Sequence, residues 1–247
     1  MNAKVWLVGA GPGDPELLTL KAVRALNQAD VVLIDDLVNP AVLSHCPLAR
    51  VIPVGKRGGC RSTPQAFIHR LMLRYARQGK CVARLKGGDP CIFGRGGEEA
   101  QWLQERGVEV ELVNGITAGL AGATQCGIPL TLRGVSRGVT LVTAHTQDDS
   151  SLNWQALAQG GTTLVVYMGV AKLDEIQAQL LAGGMAMNTP VAMIENASLP
   201  QQRECRSNLQ QMGADAQAFN LQSPAILVIG EVAAAATVEL QAHYAVG

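Results

Sequence analysis

Val5-Trp6-Leu7-Val8-Gly9-Ala10-Gly11-Pro12-Gly13-Asp14 is the stretch on which the fold turns. Four apolar residues that run straight into glycine read as a buried parallel strand delivering the chain to a loop. Leu17, Leu20, Val23, Ala25 and Leu26 follow at roughly helical spacing, and Val31–Ile34 is the next β-branched run, stopped by Asp35-Asp36. A strand, a helix and a second strand are thereby expected, joined by a glycine loop at the first strand's end. A dinucleotide site is the obvious suggestion, and the chemistry of the loop argues against it. Such a site needs a third motif glycine for close helix packing and a helix N-terminus that binds pyrophosphate. Here the third position is Asp14, a negative charge where phosphate would sit, and Pro12 and Pro15 remove amide donors. A ligand that needs close backbone approach without pyrophosphate fits better, for example a cationic sulfonium carried on an adenosine.

Outward from this stretch the alternation continues. Ser62-Thr63-Pro64 offers an N-cap followed by proline at the first helical position, and Ile68, Leu71, Met72 and Tyr75 form one helical stripe that ends at Gly79. Strands are expected at Val82–Leu85 and along the alternating Val108, Val110 and Leu112, with a helix over about 97–106 between them. This pattern predicts a mostly parallel sheet with helices on both faces. Asn114-Gly115-Ile116-Thr117 is the candidate junction, which divides the chain into residues 1–114 and 115–247. Beyond a small-residue helix at Ala118–Cys126 the texture changes. Strands at about Val139–Thr143, Thr163–Tyr167, Pro190–Ile194 and Ala225–Ile229, with a further one at Glu204–Ser207, predict a second domain with a mixed sheet. The fold class is therefore two-domain α/β, and a ligand site is expected in the cleft between the domains.

Composition narrows the function classes. No run approaches the roughly 18 apolar residues needed to cross a bilayer, and the N-terminal apolar stretch is too short for a signal peptide, so the expected location is the cytoplasm, away from membranes. Six cysteines without a Cys-x-x-Cys pair and four scattered histidines predict neither a disulfide framework nor a metal site. The formal net charge is zero, but residues 50–106 hold twelve Lys or Arg against four Asp or Glu, whereas residues 138–247 hold three against nine. A localised anionic ligand suits this asymmetry better than a nucleic acid, which goes with an overall basic domain.

A second glycine loop, Arg84-Leu85-Lys86-Gly87-Gly88-Asp89-Pro90, leaves the end of another strand and runs on through Phe93-Gly94-Arg95-Gly96-Gly97-Glu98-Glu99. Loops at the carboxyl ends of parallel strands share one sheet edge, so both can line one crevice. Val8 to Asp14 continuing to Leu17-Leu18-Thr19-Leu20, then Ala29-Asp30-Val31-Val32, and then Arg84 through Glu99 resemble the two signature regions of the tetrapyrrole methylases, in particular the uroporphyrinogen-III C-methyltransferase branch. Echoes at Thr117-Ala118, Tyr167-Met168-Gly169, Glu195-Asn196-Ala197 and Ser223-Pro224-Ala225 extend the likeness over essentially the whole chain.

The resemblance implies a homodimer that moves two methyl groups from S-adenosylmethionine, leaving S-adenosylhomocysteine, onto C2 and C7 of uroporphyrinogen III. The product would be precorrin-2, the precursor of sirohaem and cobalamin, and no metal is implied. Another precorrin methyltransferase of the same fold is the alternative. Carried over by position, the cofactor pocket would include Pro12, Gly87, Gly88, Asp89, Ile92, Thr117, Ala118, Met168 and Ala197, with Pro224 and Ala225 beside them. The acid/base candidates would be Asp35 and Lys56. Ile34 and Asp36 depart from the residues frequent in the family, which leaves open whether Asp35 or Asp36 faces the site, and Ala197 stands where glycine is usual, a small change at a backbone contact.

Uroporphyrinogen III carries eight carboxylates, so its pocket should present guanidinium groups that bind them bidentately. Arg95 and Arg133 are the leading candidates, with Lys56, Arg57, Arg61 and Arg137 behind them. Glu98, three residues after Arg95, could orient that arginine or meet a pyrrole N–H. The main task of such an enzyme is alignment, worth roughly 7–11 kcal/mol when reacting atoms are held near attack distance.

Overall fold

In a computed structural model of the chain, residues 3–55, 63–145 and 152–234 are described. Packing divides the chain into two units, Met1–Thr117 and Ala118–Gly247.

The first unit is built on five parallel strands, β1 (Lys4–Gly9), β2 (Val31–Ile34), β3 (Arg50–Pro53), β4 (Val82–Lys86) and β5 (Glu109–Val113), in the order β3-β2-β4-β1-β5. Side chains alternate across a strand, and the alternation sorts the core into two halves. Trp6, Val8, Val32, Ile34, Ala83 and Leu85 pack with Ala22, Ala25 and Leu26 of helix α1 (Leu20–Gln28). Val5, Leu7, Leu33 and Val82 pack on the opposite face with Ile68, Met72 and Ala76 of α2 (Gln65–Arg77) and with Ala100 and Leu103 of α3 (Gly96–Gln104). Each fully buried Leu or Val contributes roughly 1.5–3 kcal/mol of transfer free energy.

The two faces follow from the order of the strands. The connection from β1 runs past β4 to β2, and the connection from β4 runs past β1 to β5, so the two travel in opposite directions. Right-handed crossovers then require their helices to lie on opposite faces, as α1 and α3 do. Neighbouring strands whose connections part in this way leave a crevice beyond their carboxyl ends. Both glycine loops emerge there.

Two local expectations are corrected. The helix expected from Leu17 begins only at Leu20, where Thr19 caps it by accepting from the Ala22 N–H at 3.1 Å, and Pro15–Leu17 forms a separate 3-10 turn capped by Asp14. Leu20 is consequently exposed and does not belong to the buried stripe. Pro64 occupies the N-cap of α2 rather than its first turn, and Thr63 donates to the Gly55 carbonyl instead of capping the helix. Ser62 lies outside the described residues.

The second unit carries a mixed sheet, β6 (Val139–Thr143), β7 (Thr163–Tyr167), β8 (Pro190–Glu195), β9 (Arg203–Asn208) and β10 (Ala225–Ile229), in the order β6-β7-β10-β8-β9. Of its four neighbouring pairs, β6–β7 is parallel and the other three are antiparallel. One face buries Leu164, Val166, Met193 and Leu227 against Trp154 of α5 (Trp154–Gln159), Ile176 and Leu180 of α6 (Leu173–Ala182) and Met212 of α7 (Met212–Phe219). The other packs Ile194, Ile226 and Val228 against Ala123 of α4 (Ala118–Gln125).

Candidate functional site

The glycine loops of the first unit interlock. Gly88 N–H donates to the Gly11 carbonyl at 2.7 Å, Gly11 N–H donates back to Gly88 at 3.2 Å, and Ala10 N–H donates to Lys86 at 2.8 Å. A third chain segment closes on them. A Cβ on Gly9 would lie 2.7 Å from the Gly88 carbonyl oxygen, and one on Gly115 would collide with that same oxygen. Asp89 staples the junction: one carboxylate oxygen accepts from Cys91 N–H at 2.7 Å, the other from Gly115 N–H at 3.1 Å and from the Asn114 amide at 3.3 Å. Its carboxylate therefore ties the second glycine loop to the 114–115 segment, a use that its place in a cofactor motif does not reveal.

This arrangement decides between two ligand classes. A pyrophosphate cradle presents free N–H groups at a helix N-terminus. Here the amides of Ala10, Gly11 and Gly88 are spent on backbone carbonyls, Pro12 has none, and α1 starts six residues beyond Asp14. What remains is close backbone surface with an acidic residue beside it, which fits an adenosine bearing a cationic sulfur. Pro12, Gly87, Gly88 and Ile92 are partly exposed along this cradle, whereas Thr117 is buried.

Beside the cradle opens a cavity of about 560 Å³, lined by Asp35, Asp36, Arg84, Lys86, Gly87 and Arg95 among others. Strand period places its charges. Val82, Arg84 and Lys86 alternate onto the α2/α3 face of β4, as Leu33 does on β2. Arg84 donates to Asp35 at 2.9 Å, so of the acidic pair Asp35 is the one gripped by the buried guanidinium, while both carboxylates border the cavity. Asp35 also accepts from the Asp36 N–H at 3.2 Å. On the far side, Glu99 of α3 is fully buried and accepts from Lys86 at 3.2 Å and from Gln65 of α2 at 2.6 Å. Burial first and Arg84 second push the Lys86 ammonium below the usual lysine range, against the pull of Glu99. Burial likewise lowers His69, whose ring nitrogen lies 3.1 Å from the Gln65 amide.

Arg95 and Glu98 do meet. Arg95 sits at the N-cap of α3 in the left-handed region, with φ of 57°, and grips Glu98 with contacts of 2.6–3.1 Å. That hydrogen bond holds the Glu98 carboxyl below its ordinary range and raises Arg95 above its own. Lys56, Arg57 and Arg61 lie outside the described residues. Arg133 stands exposed in a turn closed by the bridge between Leu132 and Ser136, and Arg137 is exposed just after it.

In the second unit the remaining candidates gather at one sheet edge. Tyr167 pairs with Ile226, and Ala225 with Glu195, so the ends of β7 and β8 meet the start of β10. Met168 follows β7 with a φ of 55° and is 50% exposed, which rules out a packed-core role for it. Asn196 N–H donates to the Pro224 carbonyl at 2.9 Å, and Ala197 lies buried against α4 at Gly122. Gly119, next to Ala118, donates its N–H to the Tyr167 hydroxyl at 2.9 Å. Ala118, Met168, Ala197, Pro224 and Ala225 thus share a neighbourhood.

Arg84, Lys86, Glu99, Gln65 and His69 were given no role by sequence reading. The signal was present at Arg84 and Lys86, since charged residues at alternate positions of an otherwise buried strand are costly unless paired. Nothing local marks Glu99 as the buried member of Glu98-Glu99.

The model of the tetrapyrrole (corrin/porphyrin) methylases matches residues 4–213. The chain belongs to the tetrapyrrole methylase family. It is 80% identical over 235 residues to a uroporphyrinogen-III C-methyltransferase of Pseudomonas fluorescens, covering 95% of each chain. To the enzyme of that name from Pseudomonas aeruginosa it is 77% identical, over 94% of this chain and 95% of the other. Among solved structures, uroporphyrin-III C-methyltransferase of Thermus thermophilus in complex with S-adenyl homocysteine superposes with a TM-score of 0.81 at 42% identity, covering 93% of this chain and 98% of that one.

Proposed function

We propose that the chain is a uroporphyrinogen-III C-methyltransferase, which methylates C2 and C7 of uroporphyrinogen III to give precorrin-2 for sirohaem- and cobalamin-type cofactors. The observation that carries this reading is the pair of interlocked glycine loops whose Ala10, Gly11 and Gly88 amides are spent on one another's backbone, beside a charge-lined cavity, in a chain 80% identical to an enzyme of that name.

S-Adenosylmethionine supplies an activated methyl group on a sulfonium when bound. The residues proposed to hold it are Pro12, Gly87, Gly88, Asp89, Ile92 and Thr117 of the first unit and Ala118, Met168, Ala197, Pro224 and Ala225 of the second, with Asp89 acting through the loops it staples. Asp35, which accepts from Arg84, is proposed to accept a proton or to stabilise positive charge developing on the pyrrole. Lys56 stays the second acid/base candidate. Arg95 and Arg133 are proposed to receive substrate carboxylates, and Glu98 to orient Arg95. By family likeness we further propose a cytoplasmic homodimer; among the described residues no helix is long and apolar enough to cross a membrane, and no group of three or more potential metal ligands converges.

The test is direct. Incubation with labelled S-adenosylmethionine and enzymatically generated uroporphyrinogen III under reducing conditions should yield a product carrying two labelled methyl groups. Absence of transfer would refute the assignment.

A further inference from the structure

Glu99 stands behind the cavity wall rather than on it, is 0% exposed, and draws together two of the cavity's cations, Arg84 and Lys86. A single oxygen, Oε1, receives Lys86 Nζ at 3.2 Å and Gln65 Nε2 at 2.6 Å, and lies 3.6 Å from Arg84 Nε. Among the described residues its second oxygen and Arg84 Nε have no hydrogen-bond partner. Stability alone gives no reason for this, since apolar residues of similar volume commonly replace buried ion pairs at no loss. Two cations on successive inward positions of β4 repel each other, and Glu99 offsets that repulsion from behind, as Asp35 does at the other end of Arg84. Arg84 then turns its other end to Asp35, at 2.9 Å, and Lys86 has donated one of its three protons and borders the cavity.

We propose that Glu99 is a positioning residue for methyl transfer: by anchoring Arg84 and Lys86 from behind, it fixes the Asp35 carboxylate and aims the free donors of Lys86 at a carboxylate of the substrate. The proposal rests on the function argued above. Lys86 is faced by Arg84 on its own strand, by Glu99 and Glu98 on α3, by His69 and Gln65 on α2, and by Asp35 beyond β2. Removing the charge of Glu99 leaves the repulsion of Arg84 less opposed and drives the ammonium further down, so the alkaline limb of activity moves to lower pH.

The experiment compares wild type, Glu99→Gln, Lys86→Met and the double variant in steady-state kinetics against pH, with S-adenosylhomocysteine binding measured on each. Glu99→Gln should raise KM for uroporphyrinogen III by about tenfold, the equivalent of one lost charged hydrogen bond, and shift the alkaline limb downward, with S-adenosylhomocysteine affinity unchanged. In the Lys86→Met background the further effect of Glu99→Gln on KM should vanish, because the two residues act as one unit. An unmoved KM and alkaline limb, or a full effect that persists without Lys86, would overturn the proposal. Should Glu99→Gln fail to fold, Lys86→Met decides: an unchanged KM for the macrocycle overturns it, and a raised KM supports it. Inactive wild-type protein would instead refute the proposed function, so the two failures are distinct.

Discussion

Asp89→Asn isolates the staple from everything else in the site, because it keeps the shape of the side chain and removes one acceptor. In the native arrangement Oδ1 takes the Cys91 N–H and Oδ2 takes two donors, Gly115 N–H and the Asn114 amide. An asparagine must choose. With its carbonyl toward Cys91, its NH2 faces two donors; with the amide reversed, it faces the Cys91 N–H. Either way at least one charge-assisted bond is lost in a buried place, at a cost of about 1.5–3 kcal/mol. For a chain of this length that corresponds to a fall of roughly 3–6 °C in Tm. The loss acts where Gly115 approaches the Gly88 carbonyl, so the loops part and the cofactor cradle loosens with them. Thermal unfolding followed by circular dichroism, together with calorimetric titration of S-adenosylhomocysteine, should show both a lower Tm and weaker binding. A variant with wild-type Tm would show that the three hydrogen bonds do not hold the loops together, and a lower Tm with native affinity would separate the staple from the cradle.

Two further outcomes are expected. Arg133→Ala should raise KM for uroporphyrinogen III while leaving S-adenosylhomocysteine affinity intact, and unchanged turnover in steady-state assays would remove Arg133 from the substrate site. Glu111 accepts charge-assisted bonds from Lys21 and Lys4, which hold its carboxyl at about 2. Because the folded value is depressed, its contribution to stability is present above the unfolded value of about 4.5 and is lost as pH falls toward about 2. Glu111→Gln should therefore flatten the decline of denaturant midpoint across that window, and an identical decline would refute the assignment.

The parallel sheet was legible because its signals are local: apolar runs end in glycine, and the helical stripe of Ile68 and Met72 has the right period. The exact start of α1 was not, since Leu17 and Leu20 suit a helical stripe and only the competition between Thr19 and Asp14 as caps decides that the helix begins after Thr19. The two glycine loops could be assigned to one edge because each leaves the carboxyl end of a parallel strand. That Gly9, Gly88 and Gly115 touch could not, because three isolated glycines carry no record of one another. Asp89 shows the same limit in a functional motif. Its position suggests a ligand contact, while its oxygens serve the backbone of two loops.

The charge surplus of residues 50–106 also changes meaning once the cations have addresses. Arg70, Arg74 and Arg77 lie on the exposed face of α2, Lys80 pairs with Asp30 at 3.7 Å, and Arg106 stacks over Trp102. Of the described cations in that stretch, Arg84, Lys86 and Arg95 border the cavity, each bound to a carboxylate. An incoming anion therefore meets no idle cation among them and must share or displace. Sharing is open to Lys86, which keeps further donors. Displacement is open to Arg95, because an exposed pair of its kind is worth only about 0–1 kcal/mol. Arg84 is not free to do either without releasing Asp35. The three cations thus divide in kind: Arg84 holds Asp35, the carboxylate proposed to act on the macrocycle, and Lys86 and Arg95 are the two proposed to receive the carboxylates that orient it.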